Sequence, residues 1–277
     1  MYQRNFLLLL SLFIYFFSYP SQAQIISYSN VGQGTPLVLI HAFPTDQRLW
    51  TPQQEGLKKN FQVITLDLWG FGNSSVMNNK AITMQMYADE VKELLDQLHI
   101  QKAIIGGESM GGYVALAFLE HYPKNVQGLI LSDTQAIADT AEIKVKRETT
   151  ASEILKQGSS NFIKGFIPKA LSPAASEQTK ATLQLILKTQ KATAMAAALR
   201  GMAVRHDTSK LLADNNDLPI LIITGKEDTL ITPYQSANMH ALAKTSRLVV
   251  IPNAGHLSNL EQPEQWNKAV IDMFSHR

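Results

Sequence analysis

The chain contains no cysteine. Disulfides, thiolate nucleophiles and cysteine-based zinc sites are therefore excluded together. A surplus of charge of one sign is missing too. Twenty-five Lys and Arg stand against 23 Asp and Glu, a net +2. So even a balance gives no electrostatic footprint for nucleic acid or an anionic membrane surface. No Gly-x-x-x-x-Gly-Lys-Ser/Thr loop is present, and the glycine-rich stretch at 67–74 lacks Gly-x-Gly-x-x-Gly spacing, which excludes the common nucleotide cradles. The histidines outside the strand-end loops, His99, His121, His206, His240 and His276, have no metal-ligand spacing. Internal repeats and low-complexity linkers are absent from the rest of the sequence.

What is present begins with an address. Arg4 precedes a mostly apolar run from Phe6 to Phe17, broken by Pro20 and followed by Ser21-Gln22-Ala23. The run falls short of the roughly 20 residues that span a bilayer. A basic start, a short apolar stretch and small residues at a cleavage point describe a secretory signal. Residues 1–23 are expected to be removed after Ala23, leaving an exported protein, periplasmic or secreted, with no stable membrane anchor. An uncleaved amino-terminal anchor is the alternative. Residues 24–277 then form one domain, long enough to bury its own core without disulfides.

Within that domain continuous apolar runs alternate with helical patterns. Leu37–Ile40, Phe61–Leu66, Ala103–Ile105, Val126–Leu131, Leu218–Thr224 and Arg247–Ile251 read as strands buried on both faces. Ile25 to Tyr28 reads as a short edge strand. Helices are predicted over Arg48–Leu57, Thr83–Leu98, Met110–His121, Tyr234–Ala243 and Pro263–Phe274. This alternation predicts an α/β fold with a mostly parallel sheet flanked by helices. The rhythm stops between about 134 and 206, where helical stretches such as Ser176–Lys188 and Ala192–Val204 dominate. A helical insert between two halves of a parallel sheet is expected to cap the carboxyl ends of its strands, where open α/β sheets bind ligands.

The strand ends carry the chemistry. Gly107-Glu108-Ser109-Met110-Gly111 follows a strand and opens a helix, placing Ser109 at the tip of a tight turn with a glycine two residues to either side. This is the nucleophile-elbow pattern. Asp228 follows the strand ending at Thr224, and His256 follows the strand ending at Ile251. Serine, acid and histidine arrive in that chain order, each just past a strand. Asp133, after the strand ending at Leu131, is a rival acid, but the Gly225-Lys226-Glu227-Asp228 turn before Thr232-Pro233 fits the role better. Glu108 is expected to point away from the serine.

With these motifs in place, the chain resembles the α/β-hydrolase fold family over nearly all of residues 24–277. His41-Ala42-Phe43-Pro44 resembles the family's His-Gly-Phe-Pro oxyanion segment, and residues 67–74 its Asp-x-x-Gly-x-Gly-x-Ser loop. Residues 225–228 resemble its acid turn, and Asn253-Ala254-Gly255-His256 with Glu261-Gln262-Pro263 its histidine loop. Within the family the chain is most similar to serine esterases and lactonases with a small helical cap, such as 3-oxoadipate enol-lactonases and cofactor-free haloperoxidase-type enzymes.

The resemblance implies a carboxylic ester hydrolase with Ser109 as nucleophile, His256 as base and Asp228 as the orienting acid. The backbone N–H groups of Phe43 and Met110 would form the oxyanion hole. Phe43, Trp69 and Met110 would line the substrate site, and no metal or organic cofactor is needed. The partner implied is a small ester or lactone. His41 and Asp67 are expected to organise loops. Ala42 stands where the family has glycine, so the family's loop geometry has to be reached there with φ < 0 or at a cost. Two other readings stay open: an acyltransferase or perhydrolase using the same triad, and a non-catalytic binding protein on this scaffold. The insert carries eleven Lys and Arg against five acids, which reads as a solvated surface or as a lid favouring anionic substrates.

Overall fold

The structure is a computed structural model that describes residues 25–275. The expected signal, residues 1–23, lies outside the described residues. Seven strands form a single sheet in the order β1-β3-β2-β4-β5-β6-β7. They are β1 (Tyr28–Val31), β2 (Thr35–Ile40), β3 (Phe61–Leu66), β4 (Ala103–Glu108), β5 (Val126–Ser132), β6 (Ile220–Gly225) and β7 (Ser246–Ile251). β1 alone runs antiparallel; the other neighbours are parallel.

Side chains alternate across a strand, so a run apolar at every position feeds two cores. Leu37, Leu39, Ile104 and Ile130 face one side, where they meet Leu57 of α1 (Thr51–Leu57) and Trp266, Val270 and Phe274 of α11 (Pro263–Phe274). Val38, Ile40, Ile105 and Leu131 face the other. There they pack with α2 (Met84–Gln97), α3 (Met110–His121) and Met239 of α9 (Pro233–Leu242). The helix starts follow from sequence. Thr83 caps α2, its hydroxyl accepting from Met86 N–H, and Pro52, Pro233 and Pro263 open α1, α9 and α11.

Between β5 and β6 the chain leaves the sheet and forms α4 (Ala141–Gln157), α5 (Ser160–Ala170), α6 (Glu177–Lys188) and α7 (Ala192–Ala203), followed by α8 (Ser209–Asp214). The buried alanines of α7, Ala194 and Ala196 to Ala198, share a core with Ala151 and Ile154 of α4. Small side chains let helices approach closely. Leu183 and Leu187 of α6 pack with Ile163 and Ala170 of α5 against Ala42, Leu257 and Leu260. The insert therefore rests on the loops after β2 and β7. Among the described residues no helix is long and apolar enough to cross a membrane.

Two elements differ from expectation. The edge strand is Tyr28–Val31, later than Ile25–Tyr28. Ile25 N–H donates to Ser75 Oγ and Ser27 N–H to Ser74 Oγ, so that segment pairs with a loop, and the ladder to β3 begins at Tyr28 opposite Leu66. The helix expected from Arg48 is split. A 3₁₀ turn over Gln47–Trp50, capped by Asp46, precedes α1, because Pro52 resets the helix start.

Trp266 joins the sheet to α11. It is fully buried, lies 5.3 Å from the Trp50 ring, and donates its indole N–H to Ser132 Oγ at 3.0 Å. Trp266→Ala should lower the unfolding free energy by about 3–5 kcal/mol, read from urea denaturation midpoints at unchanged slope.

Candidate active site

The site starts from a steric limit. β4 must turn into α3 within one residue, and that residue is Ser109, with φ 54° and ψ −111°. A serine held in this region costs roughly 1–3 kcal/mol and needs surroundings that enforce it. A Cβ on Gly107 would lie 2.0 Å from Gly111 O, and one on Gly111 would lie 2.1 Å from Ile40 O. Only glycine lets strand, turn and helix close up. Ser109 N–H donates to Ser132 O and Thr134 Oγ1 donates to Ser109 O, which ties the elbow to the end of β5.

Two other loops meet it. His256 Nε2 lies 2.7 Å from Ser109 Oγ, and His256 Nδ1 lies 2.8 Å from Asp228 Oδ2. The structure thus brings Ser109, His256 and Asp228 into one hydrogen-bonded line. With Asp228 accepting from Nδ1–H, Nε2 is left as the acceptor for the serine hydroxyl. Asp228 is anchored by its other oxygen, which accepts from Leu230 N–H at 2.8 Å and Ile231 N–H at 3.0 Å. Burial pulls the His256 imidazolium down, but the charge and hydrogen bond of Asp228, with the charge of Asp133, outweigh it. The net shift is upward.

The acid turn and histidine loop sit back to back, since a Cβ on Gly225 would lie 2.0 Å from Gly255 O. Glu261 then ties the histidine loop to the insert. Its Oε1 accepts from Gly255 N–H at 2.7 Å, and its Oε2 accepts from Ser172 N–H at 2.9 Å and Ser172 Oγ at 2.7 Å. The Glu-Gln-Pro segment was visible in the sequence. Its bond to Ser172, 89 residues away, had no local signal.

On the other side of Ser109 lies the loop after β2. Ala42 adopts a negative φ, so its Cβ is accommodated and the loop forms without glycine. The turn's own hydrogen bonds run from Thr45 N–H and Thr45 Oγ1 to Ala42 O, leaving the Phe43 amide out of them. Met110 is the first residue of α3, where main-chain N–H groups have no partner within the helix. His41 is buried and its pKa is lowered, first by that burial. Its Nε2 accepts from Leu68 N–H at 3.0 Å while Nδ1 lies 2.9 Å from Ala42 O, so the ring bridges two loops as a neutral group. Asp67 accepts from Gln47 N–H, Gln47 Nε2 and Asn73 N–H and shapes its own loop.

Phe43, Trp69 and Met110 fall in one buried cluster. The Phe43 ring meets Phe71 at 6.4 Å and Phe162 of α5 at 5.8 Å, both edge-on. Phe162 came from the insert, and nothing in the sequence singled it out. Ser109, Asp228 and His256 are 8%, 4% and 3% exposed, and the insert lies against the loops beside them. A polar latch holds it there. Gln190 Nε2 donates to Asp46 Oδ2 at 2.7 Å, Gly72 N–H donates to Gln190 Oε1, and Arg48 pairs with Asp46 at 2.6 Å.

Asp133, the rival acid, is fully buried and bonds to Gly225 N–H and Ser258 Oγ instead of the histidine ring. The lysines of the insert lie mostly on its exposed outer surface, while Arg147 and Arg205 pair with Asp139. Among the described residues no group of three or more His, Asp or Glu side chains is placed to hold a metal ion.

Known proteins resemble this chain in sequence and in fold. A family model described as the alpha/beta hydrolase fold matches residues 35–263. 3-Oxoadipate enol-lactonase 1 of Acinetobacter baylyi is 30% identical over 241 residues, covering 86% of each chain. The (E)-2-((N-methylformamido)methylene)succinate hydrolase of the same organism is 29% identical over 248 residues, covering 88% of this chain and 91% of the relative. Among solved structures, a thermophilic esterase from Thermogutta terrifontis is 33% identical with a TM-score of 0.88, over 92% of this chain and 94% of that one. With the sheet order, the elbow and a match along most of its length in agreement, the chain belongs to the α/β-hydrolase fold family, among relatives that are esterases and lactonases.

Proposed function

We propose that this protein is a serine hydrolase that cleaves small carboxylic esters or lactones through an acyl-enzyme on Ser109. The observation that carries the reading is the line Ser109 Oγ, His256 and Asp228, with contacts of 2.7 and 2.8 Å. A serine hydroxyl is a poor nucleophile without an adjacent base. His256 Nε2 takes the hydroxyl proton as Oγ bonds to the substrate carbonyl carbon. Asp228 holds the ring and stabilises the imidazolium. The carbonyl oxygen becomes an oxyanion facing the N–H groups of Phe43 and Met110. When the tetrahedral adduct collapses, the carbon–oxygen bond to the alcohol breaks and the alcohol leaves with the proton from Nε2. In a lactone that alcohol stays attached to the acyl group. Water then repeats the sequence, His256 removing its proton, and the acid is released with Ser109 restored.

The enclosure by the insert supports small substrates. Phe43 and Phe162 offer an apolar wall, which suits an acyl chain more than a charged group. Excluding water also strengthens each electrostatic contact around the oxyanion.

A fluorophosphonate probe should label Ser109, and Ser109→Ala should abolish both labelling and p-nitrophenyl acetate turnover. Turnover that persists in Ser109→Ala refutes the assignment. The pH profile carries a second expectation. His256 must be neutral to act as base, so kcat/KM should rise with pH through its pKa. That pKa is raised, so the half-maximal point should lie above the ordinary histidine value of about 6.5. Asp228→Asn should move the limb to lower pH and reduce kcat by a factor on the order of 10³–10⁴.

Export belongs to the same proposal. The mature protein, recovered from outside the cytoplasm, should begin at Gln24 by amino-terminal sequencing. A mature chain that retains residues 1–23 would count against cleavage.

A further inference from the structure

The triad leaves two buried carboxyl groups beneath it unused. β4 ends on Glu108 and β5 ends on Ser132, and these residues stand side by side in the parallel ladder. Asp133 follows at once. Glu108 and Asp133 are both fully buried. Neither carboxyl oxygen of Glu108 has a well-formed hydrogen bond, and its polar neighbours are the side chains of Ser132 and Asp133. A lone carboxylate in a dry interior is costly, so an unpartnered one calls for a proton.

Asp133 is the opposite case. Its Oδ1 accepts from Gly225 N–H at 2.7 Å. Its Oδ2 accepts from Ser258 Oγ, and from Ser132 Oγ at 3.2 Å. Gly225 is the root of the turn that carries Asp228, and Ser258 lies two residues past His256. One carboxylate therefore tethers the bases of both loops. Its backbone is left-handed, with φ 45°. An aspartate keeps that conformation where its surroundings over-determine it.

The facing groups are few. Asp228 approaches from the acid turn and His256 from the histidine loop. Trp266 of α11 adds only an indole N–H, which it gives to Ser132 Oγ. Two neighbouring carboxyl groups sealed from water do not both ionise. Burial first, and then the charge of Asp133, pushes Glu108 well above the usual carboxylate range. Burial and then the charge of Asp228 push Asp133 up to about 7, against the pull of His256 and the hydrogen bonds from Ser258 and Gly225. Asp133 has donors that steady a carboxylate and Glu108 has none, so Glu108 is the one that holds the proton.

We propose that Glu108 and Asp133 hold one proton between them as a carboxylic acid–carboxylate pair, and that Asp133, tied to both loops, is a positioning residue for His256. The second half rests on the serine hydrolase reading. Asp133 fixes the two loops against each other, so that Nδ1 and Nε2 face their partners together. Its charge also adds to that of Asp228 behind the imidazolium that forms as Ser109 is deprotonated.

Three variants and one spectrum test this. Asp133→Asn keeps the shape and removes the charge. With a neutral ester, the acidic limb of kcat/KM should move down by roughly half a pH unit or more, with kcat about tenfold lower and KM little changed. Glu108→Ala removes the proton that steadies Asp133 and should resemble Asp133→Asn near neutrality. Glu108→Gln offers an N–H in place of that proton and should recover most of what alanine loses. A limb that stays put in Asp133→Asn and Glu108→Ala, with glutamine no better than alanine, would leave only packing and overturn the positioning role. Infrared spectroscopy at about pH 7, where ordinary carboxyl groups are ionised, should find a protonated carboxyl stretch in the unaltered protein and in Ser109→Ala, lost in Glu108→Gln. Its absence from the unaltered protein overturns the shared proton, whatever the protein hydrolyses. If Asp133→Asn does not fold, the two Glu108 variants and the spectrum decide the matter.

Discussion

One turn governs the architecture of this site. At Ser109 the chain passes from the central strand β4 into α3 with no spare residue, and three backbone segments come within touching distance. Gly107 approaches Gly111 O, and Gly111 approaches Ile40 O. A side chain at either position would push helix and strand apart. Because they close, the serine stands at the end of β4 and at the start of α3, where main-chain N–H groups have no partner within the helix. The loops after β2, β6 and β7 then have a fixed point to meet. The unfavourable φ of Ser109 is sustained by its main-chain bond to Ser132 of β5, by the Thr134 hydroxyl just past that strand and by packing on both sides of the sheet.

A second constraint is polar. Several of the ties that hold the insert over the strand ends are buried or half-buried hydrogen bonds: Glu261 to Ser172, Gln190 to Asp46 and Gly72 to Gln190. Apolar contacts are tolerant of small displacements. Bonds of this kind set a distance and an angle, and each leaves an unpaired buried group if broken. The apolar contacts of Phe162 and Leu187 hold the insert down, and these bonds define where it sits.

Much of this was legible in the sequence, for a physical reason. A strand buried on both faces has to be apolar at every position, so Leu37–Ile40 and Phe61–Leu66 announced themselves, and their ends marked where polar residues would gather. Gly-x-Ser-x-Gly exposed the elbow because the collision it avoids is local. The helices expected from Thr83 and Ser176 begin one residue later, with those two residues as their caps. What stayed hidden depends on residues distant in sequence. Phe162 over Phe43, Ser172 on Glu261 and Ser258 on Asp133 each join segments from different parts of the chain, and no periodicity records them. From sequence, Glu108 is expected to point away from the serine. It does turn away, and burial beside Asp133 is what that orientation produces. The edge strand begins later than the apolar residues suggest, because Ile26 is a core residue on a segment that pairs with a loop.

The insert leaves the sheet after Ser132 and returns at Ile220, two residues on adjacent strands. Closing a chain between fixed ends costs entropy that grows only with the logarithm of its length, about 0.6 kcal/mol for each doubling. Ser109 precedes this excursion, and Asp228 and His256 follow it. Exchanging the helices between those two points for a longer or shorter set leaves the strand register of β5 and β6 unchanged. The insert over the strand ends is in this sense a replaceable part, mounted on a frame whose closure entropy barely registers the change.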